Sequence, residues 1–91
     1  MGTKSDVHLM ATQMIYADFN NADPAGRLRL NCVGTVRDLG RFGVRLQDGL
    51  RLHVHDEELE ADGEVSYSSD EQIWVAKIDW NAVRVAVRGL S

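Results

Sequence analysis

The chain has 91 residues, of which 44% are hydrophobic and 26% charged, and its formal net charge is −4. This length fits one small domain, and the acidic balance disfavours nucleic-acid binding without excluding it. The single cysteine, Cys32, excludes an internal disulfide. No apolar run approaches the ~20 residues of a membrane span, and no signal peptide is visible. We therefore predict a cytoplasmic protein with no membrane partner.

The chain is predicted to form one domain over residues 14–88. Residues 1–13 show no clean period and are expected to form a flexible arm, and residues 89–91 a tail. Strand-forming residues predict a first strand at 14–19, and the Asn-, Pro- and Gly-containing run at 20–26 predicts a loop. Alternating apolar and polar residues predict a second strand at 27–37, in which Gly34 marks a sharp bend or the close approach of a neighbour.

The central stretch, residues 31–55, is predicted to form three antiparallel strands. A two-residue turn at Asp48-Gly49 would mix apolar and charged residues on each face, so three-residue loops at 38–40 and 47–49 are preferred. Gly49 then takes a left-handed conformation. These loops place Val36 opposite Phe42 and Val44 opposite Leu52, and they give the sheet one apolar face.

The opposite face of these strands is basic. It carries the candidate ligand-binding residues Arg37, Arg41, Arg45, Arg51, His53 and His55. Like charges directly across a strand pair are unfavourable, so an anion is expected nearby. It could be a ligand, or it could come from residues 56–71, which contain eight acidic residues and no basic one.

The second half of the chain completes a β fold. Residues 56–63 are predicted to form an acidic loop, and residues 64–68 and 73–80 a hairpin over the loop 69–72. Its register pairs Tyr67 with Trp74, Val65 with Ala76 and Glu64 with Lys77. Apolar residues on both sides of the second hairpin strand favour a central strand or a homodimer contact. A short turn at 79–81 and a last strand at 83–88 follow. The sum is an all-β fold, a small antiparallel barrel of six or seven short strands.

No complete catalytic or metal constellation is present. His53 and His55, followed by Glu57 and Glu60, resemble part of the metal-binding pattern of cupins, but the second ligand segment is missing. No serine lies in a nucleophile-elbow context, and there is no glycine-rich phosphate loop. We therefore predict no catalytic residue, no metal, no cofactor and no enzymatic activity.

The run VRDLGRFGVRL at 36–46 resembles the central motif of PilZ domains, with Asp38 and Gly43 in place and Gly40 where the family has a serine. The resemblance implies a small six-stranded barrel that binds cyclic di-GMP through an arginine motif before its first strand. Arg27 and Arg29 stand near that place at a different spacing. Segments 16–21 and 27–32 also resemble small uncharacterised bacterial proteins.

The leading hypothesis is a non-enzymatic binding or interaction module that uses its outward arginine-rich sheet face. Arginine's planar fork suits carboxylates and phosphates, so the expected partner is a protein carboxylate patch or an anionic small molecule. The alternative is a small barrel that binds nucleic acid or a cyclic dinucleotide.

Overall fold

The computed structural model describes residues 14–86, so the expected arm at 1–13 and tail at 89–91 lie outside the described residues. In chain order the elements are β1 (Met14–Tyr16), β2 (Leu28–Arg29), α1 (Val33–Phe42), β3 (Arg51–His55), β4 (Leu59–Ser68), β5 (Ile73–Ile78), a 3-10 turn (Trp80–Ala82) and β6 (Arg84–Val85).

The strands form one curled, half-barrel sheet with the order β1-β3-β4-β5-β2, and β6 pairs with the start of β4. The expectation of a small, mostly β, barrel-like domain is confirmed in this general form. The all-β antiparallel barrel is wrong on two points, because β1 runs parallel to β3 and because the central stretch contains a helix.

The predicted loop at 38–40 lies inside helix α1, so the cross-strand pairs built on that loop do not form. The helix begins after Cys32, whose backbone is extended, and ends at Gly43, which is left-handed with φ of 66°. The N–H groups of Gly43 and Val44 donate to the carbonyls of Gly40 and Leu39, closing the helix with the paired bonds of a Schellman motif.

The loop at 47–49 does not join two strands either, because residues 43–50 contain no strand. Leu50 N–H donates to the Gln47 carbonyl at 3.1 Å, which makes a local turn, and Gly49 has the left-handed conformation expected of it, with φ of 87°. Strand β3 pairs instead with β1 and β4.

The acidic segment 56–63, predicted as a loop, contributes to a strand from Leu59 onward. Strand β4 therefore places its carboxylates beside β3, with Glu64 opposite Arg51, Asp62 opposite His53 and Glu60 opposite His55. A strand rather than a loop forms because the alternate residues Ala61, Gly63 and Val65 are buried, which stabilises an extended backbone.

The second hairpin is confirmed in its register, which pairs Tyr67 with Trp74, Val65 with Ala76 and Glu64 with Lys77. The turn predicted at 79–81 is observed as the 3-10 turn at Trp80–Ala82. The first and second predicted strands are shorter than expected, and only β1 and β2 remain of them. Of the last predicted strand, at 83–88, β6 covers Arg84–Val85, and residues 87–88 lie outside the described residues.

The hydrophobic core lies against one face of the curled sheet. Its fully buried larger members come from separate strands, which explains why the sheet holds together over so short a chain: Ile15, Leu28, Val54 and Val65.

Candidate functional site

Helix α1 covers the outer edge of β1, which is the strand at one end of the sheet order. The Tyr16 N–H donates to Asp38 Oδ2 at 2.9 Å, and the fully buried Thr35 hydroxyl donates to the Tyr16 carbonyl at 2.6 Å. Thr35 and Asp38 are three positions apart and therefore share one side of the helix. Together they satisfy the two backbone groups that a neighbouring strand would otherwise bond, and they protect the sheet edge.

A concave surface of about 360 Å³ opens between the helix and this edge. We call it the helix groove, and it is lined by Tyr16, Gly34, Arg37, Asp38, Arg41 and His55. The parallel pairing of β1 with β3 sets Tyr16 beside His55, and their rings meet edge to face with centroids 5.9 Å apart. The Tyr16 ring rests against Gly34, where an added methyl group would come within 2.6 Å of Cδ2.

The groove lining holds two arginines and one aspartate, and the Tyr16 hydroxyl donates to Glu57 Oε1 at 3.5 Å. Neither Arg37 nor Arg41 forms an ion pair with any carboxylate in the described part of the chain. Asp38 also lines the groove, but its Oδ2 already accepts the Tyr16 N–H. The Arg41 guanidinium lies 6.0 Å from the centre of the Phe42 ring, a loose cation–π contact that leaves its N–H donors available.

Four other arginines of the described chain are engaged by carboxylates, whereas the exposed Arg45 has no ion pair there. Arg27 contacts Asp23 at 2.9 Å and Arg29 contacts Glu71 at 2.7 Å, while Arg51 lies 3.9 Å from Glu64 and Arg84 lies 3.5 Å from Glu60. Hydrogen bonds from Arg29 lower the pKa of Glu71, against the opposing effect of burial. The pairs with Asp23 and Glu71 fix the loop before β2 and the turn after β4, and they have a structural role.

His53 is held between two acidic residues. Its Nδ1 lies 2.7 Å from Asp62 Oδ1 and its Nε2 lies 2.9 Å from Glu60 Oε1. Burial disfavours the charged imidazole, but the hydrogen bonds and charges of Glu60 and Asp62 outweigh it and raise the pKa of His53. The same bond to His53, followed by the charge of Arg84, lowers the pKa of Glu60. Both ring nitrogens of His53 are therefore bonded to carboxylates of the domain itself.

The structure thus divides the six candidate residues into three groups. Arg37, Arg41 and His55 meet at the helix groove. Arg51 and His53 remain on the outer side of β3 and contact carboxylates of β4, which is the internal neutralisation weighed from the sequence. Arg45 is exposed in the connection 43–50 and does not line the groove.

Three further groove residues escaped sequence reasoning: Tyr16, Gly34 and Asp38. The sequence predicts a sharp strand bend or the close approach of a neighbour at Gly34, which instead lies in a helix with the Tyr16 ring against it. The available signal was the three-residue spacing of Thr35 and Asp38, which is typical of one side of a helix and not of one face of a strand.

A larger concave surface of about 630 Å³ lies near Trp80, whose Nε1–H donates to the Gly26 carbonyl at 2.7 Å. Its charges are balanced, because Arg27 is paired with Asp23 and because Glu64 and Lys77 are cross-strand neighbours. The helix groove is therefore the stronger candidate for an anionic ligand.

Within residues 14–86, no group of three or more histidine, cysteine, aspartate or glutamate side chains is placed to hold a metal ion. No helix in that same region combines the length and the apolar character needed to span a bilayer. Comparisons with protein-family models, with curated proteins and with solved structures returned no match.

Proposed function

We propose that the protein is a non-enzymatic binding module that takes an oxyanion in the helix groove, with Arg37 and Arg41 as donors. The observation that carries this proposal is the contrast in charge pairing. Two arginines that line an open concave surface have no carboxylate partner among the described residues, whereas four of the five described arginines elsewhere have one and the fifth, Arg45, lies in no concave surface described above.

The spacing of these arginines supports the proposal. Residues four apart on a helix are neighbours, and two like charges at that spacing destabilise the helix by a few tenths of a kcal/mol. A bound oxyanion would relieve this repulsion and accept charge-assisted hydrogen bonds from both guanidinium groups. His55 adds a polar ring at the groove wall, where contacts with Tyr16 and with the Asp56 carbonyl, 3.3 Å from Nδ1, orient it.

Phosphates and carboxylates both accept charge-assisted hydrogen bonds from guanidinium groups, so the experiment must distinguish the two kinds of anion. We would follow backbone amide shifts of the nitrogen-15-labelled full chain at low salt during titration with pyrophosphate and, separately, with citrate. Cyclic di-GMP, the ligand that the PilZ resemblance implies, and a short single-stranded RNA form two further arms.

The proposal predicts shifts centred on residues 34–42, Tyr16 and His55, with the preferred anion showing the lower dissociation constant. Shifts confined to other parts of the sheet, or no shifts with any of the four compounds, would refute it. Binding of RNA alone, with a steep dependence on salt, would favour a nucleic-acid function instead.

A further inference from the structure

The solvent side of helix α1 carries apolar residues beside its arginines. Val33 is 72% exposed and Val36 is 58% exposed, although both are large hydrophobic residues. Val33, Val36, Arg37, Gly40 and Arg41 recur at helical spacings of three and four, so they share one side of the helix. We call this side the helix docking face.

The opposite side of the helix is already occupied. Thr35 and Asp38 bond to Tyr16, and Leu39 packs against the core. The exposed valines therefore contribute little to the packing of the described residues. At Gly40 an added methyl group would meet no atom within 4 Å, so an incoming chain can approach the helix backbone closely there.

We infer that the helix docking face binds an acidic amphipathic segment of a partner protein. Its apolar side chains would cover Val33 and Val36, and its aspartate or glutamate side chains would bond to Arg37 and Arg41. This inference rests on the proposed function, because it assigns the oxyanion in the groove to a protein carboxylate. The face from residue 33 to residue 41 is about 12 Å long, the length of roughly two helical turns of a partner.

Charge complementarity decides between the possible occupants. A second copy of the chain, packed through the same face, would bring Arg37 and Arg41 close to their own counterparts, and the one acidic residue of the helix, Asp38, faces Tyr16. Residues 1–13 contain one acidic residue, Asp6, and cannot supply two carboxylates. An acidic partner segment satisfies both the apolar and the basic halves of the face.

The test is a selection of 12-residue peptides displayed on phage against the immobilised full chain. The expected peptides combine aspartate or glutamate with leucine, isoleucine or phenylalanine at helical spacing. Their affinity is then measured for the wild type, for the V33S/V36S variant and for the R37Q/R41Q variant. Both valines are exposed, so V33S/V36S is expected to keep the fold, which circular dichroism checks.

We expect V33S/V36S to lower peptide affinity at least tenfold while leaving pyrophosphate affinity unchanged, and R37Q/R41Q to lower both. Peptides that bind V33S/V36S as well as the wild type, or a selection that yields no acidic and apolar peptide, would overturn the docking inference alone. If the wild-type protein binds the peptides but not pyrophosphate, the proposal that the helix groove binds a small oxyanion is wrong, and the docking inference stands. A dimer, detected by sedimentation and abolished by V33S/V36S, would overturn the inference in favour of a second copy.

Discussion

The two glycines of helix α1 provide a matched pair of substitutions with opposite predicted effects on stability. In Gly34→Ala the new methyl group would lie 2.6 Å from Tyr16 Cδ2 and 3.1 Å from Cγ, so the ring must move. In Gly40→Ala the same methyl group would meet no atom within 4 Å. The two changes are chemically identical and share one helix, and they differ only in what the added group contacts.

The magnitudes follow from this difference. Replacing glycine by alanine within a helix stabilises the folded state by ~0.5–1 kcal/mol, because alanine loses less conformational entropy. Gly40→Ala should therefore raise the free energy of unfolding by about that amount. Gly34→Ala gains no more than this and loses ~1–3 kcal/mol by overpacking against the ring, so we expect a net destabilisation of ~0–2.5 kcal/mol.

Urea unfolding followed by the fluorescence of Trp74 and Trp80 measures both effects. The ring of Tyr16 also lines the helix groove, so Gly34→Ala should weaken anion binding while Gly40→Ala leaves it unchanged. A Gly34→Ala protein as stable as the Gly40→Ala protein would refute the described packing of helix α1 against β1.

Two further predictions concern stability. Thr35→Val keeps the side chain's shape but leaves the part-buried Tyr16 carbonyl without its donor, so it should cost ~1–3 kcal/mol, more than the ~0.8 kcal/mol for the methyl lost in Thr35→Ser. The reverse order in urea unfolding would contradict the role of the hydroxyl. His53→Gln removes the bonds to Glu60 and Asp62 and should cost more stability at pH 5.5 than at pH 8.5, because those bonds raise the pKa of His53. An equal loss at the two pH values would be inconsistent with a protonated His53.

The direction of this pH dependence follows from the two shifted pKa values. The folded-state pKa of His53 lies above its unfolded value of about 6.5, so its stabilising effect is complete below that pH and is lost as the pH rises through the folded pKa. The pKa of Glu60 is lowered, so its effect is present above its unfolded value of about 4.3 and is lost as the pH falls through the folded pKa. Both effects are fully present between about pH 4.3 and 6.5.

The sequence predicted the second hairpin because its determinants are local. A four-residue loop fixes the register, and two apolar cross-strand pairs and one pair of opposite charge agree with it. Strands were predicted in place of helix α1 because its residues fit both the two-residue period of a strand and the 3.6-residue period of a helix. Exposed valines favour a strand by propensity and two glycines weaken a helix, whereas bonds from Thr35 and Asp38 to Tyr16, 19 and 22 positions away, select the helix.

The candidate site was predictable only in part, because contacts between residues far apart in the chain bring its side chains together. His55 and the arginines were identified as residue types suited to anions, but their grouping depended on the wrong strand register. Arg37 and Arg41 meet His55 because β1 lies parallel beside β3 and because the helix covers the free edge of β1. A parallel pairing between segments that are far apart in the chain leaves no turn signal in the sequence.

The central claim is that Arg37 and Arg41 form an oxyanion site, and calorimetric titration of single-arginine variants with pyrophosphate at low salt tests it most directly. Arg45 is the matched control, because it is exposed, has no ion-pair partner in residues 14–86 and lies outside the groove lining. One charge-assisted hydrogen bond is worth ~1.5–3 kcal/mol, so Arg37→Gln and Arg41→Gln should each weaken binding at least tenfold. Arg45→Gln should change it less than twofold, and an equal loss in all three variants would show that net charge, not the groove, attracts the anion.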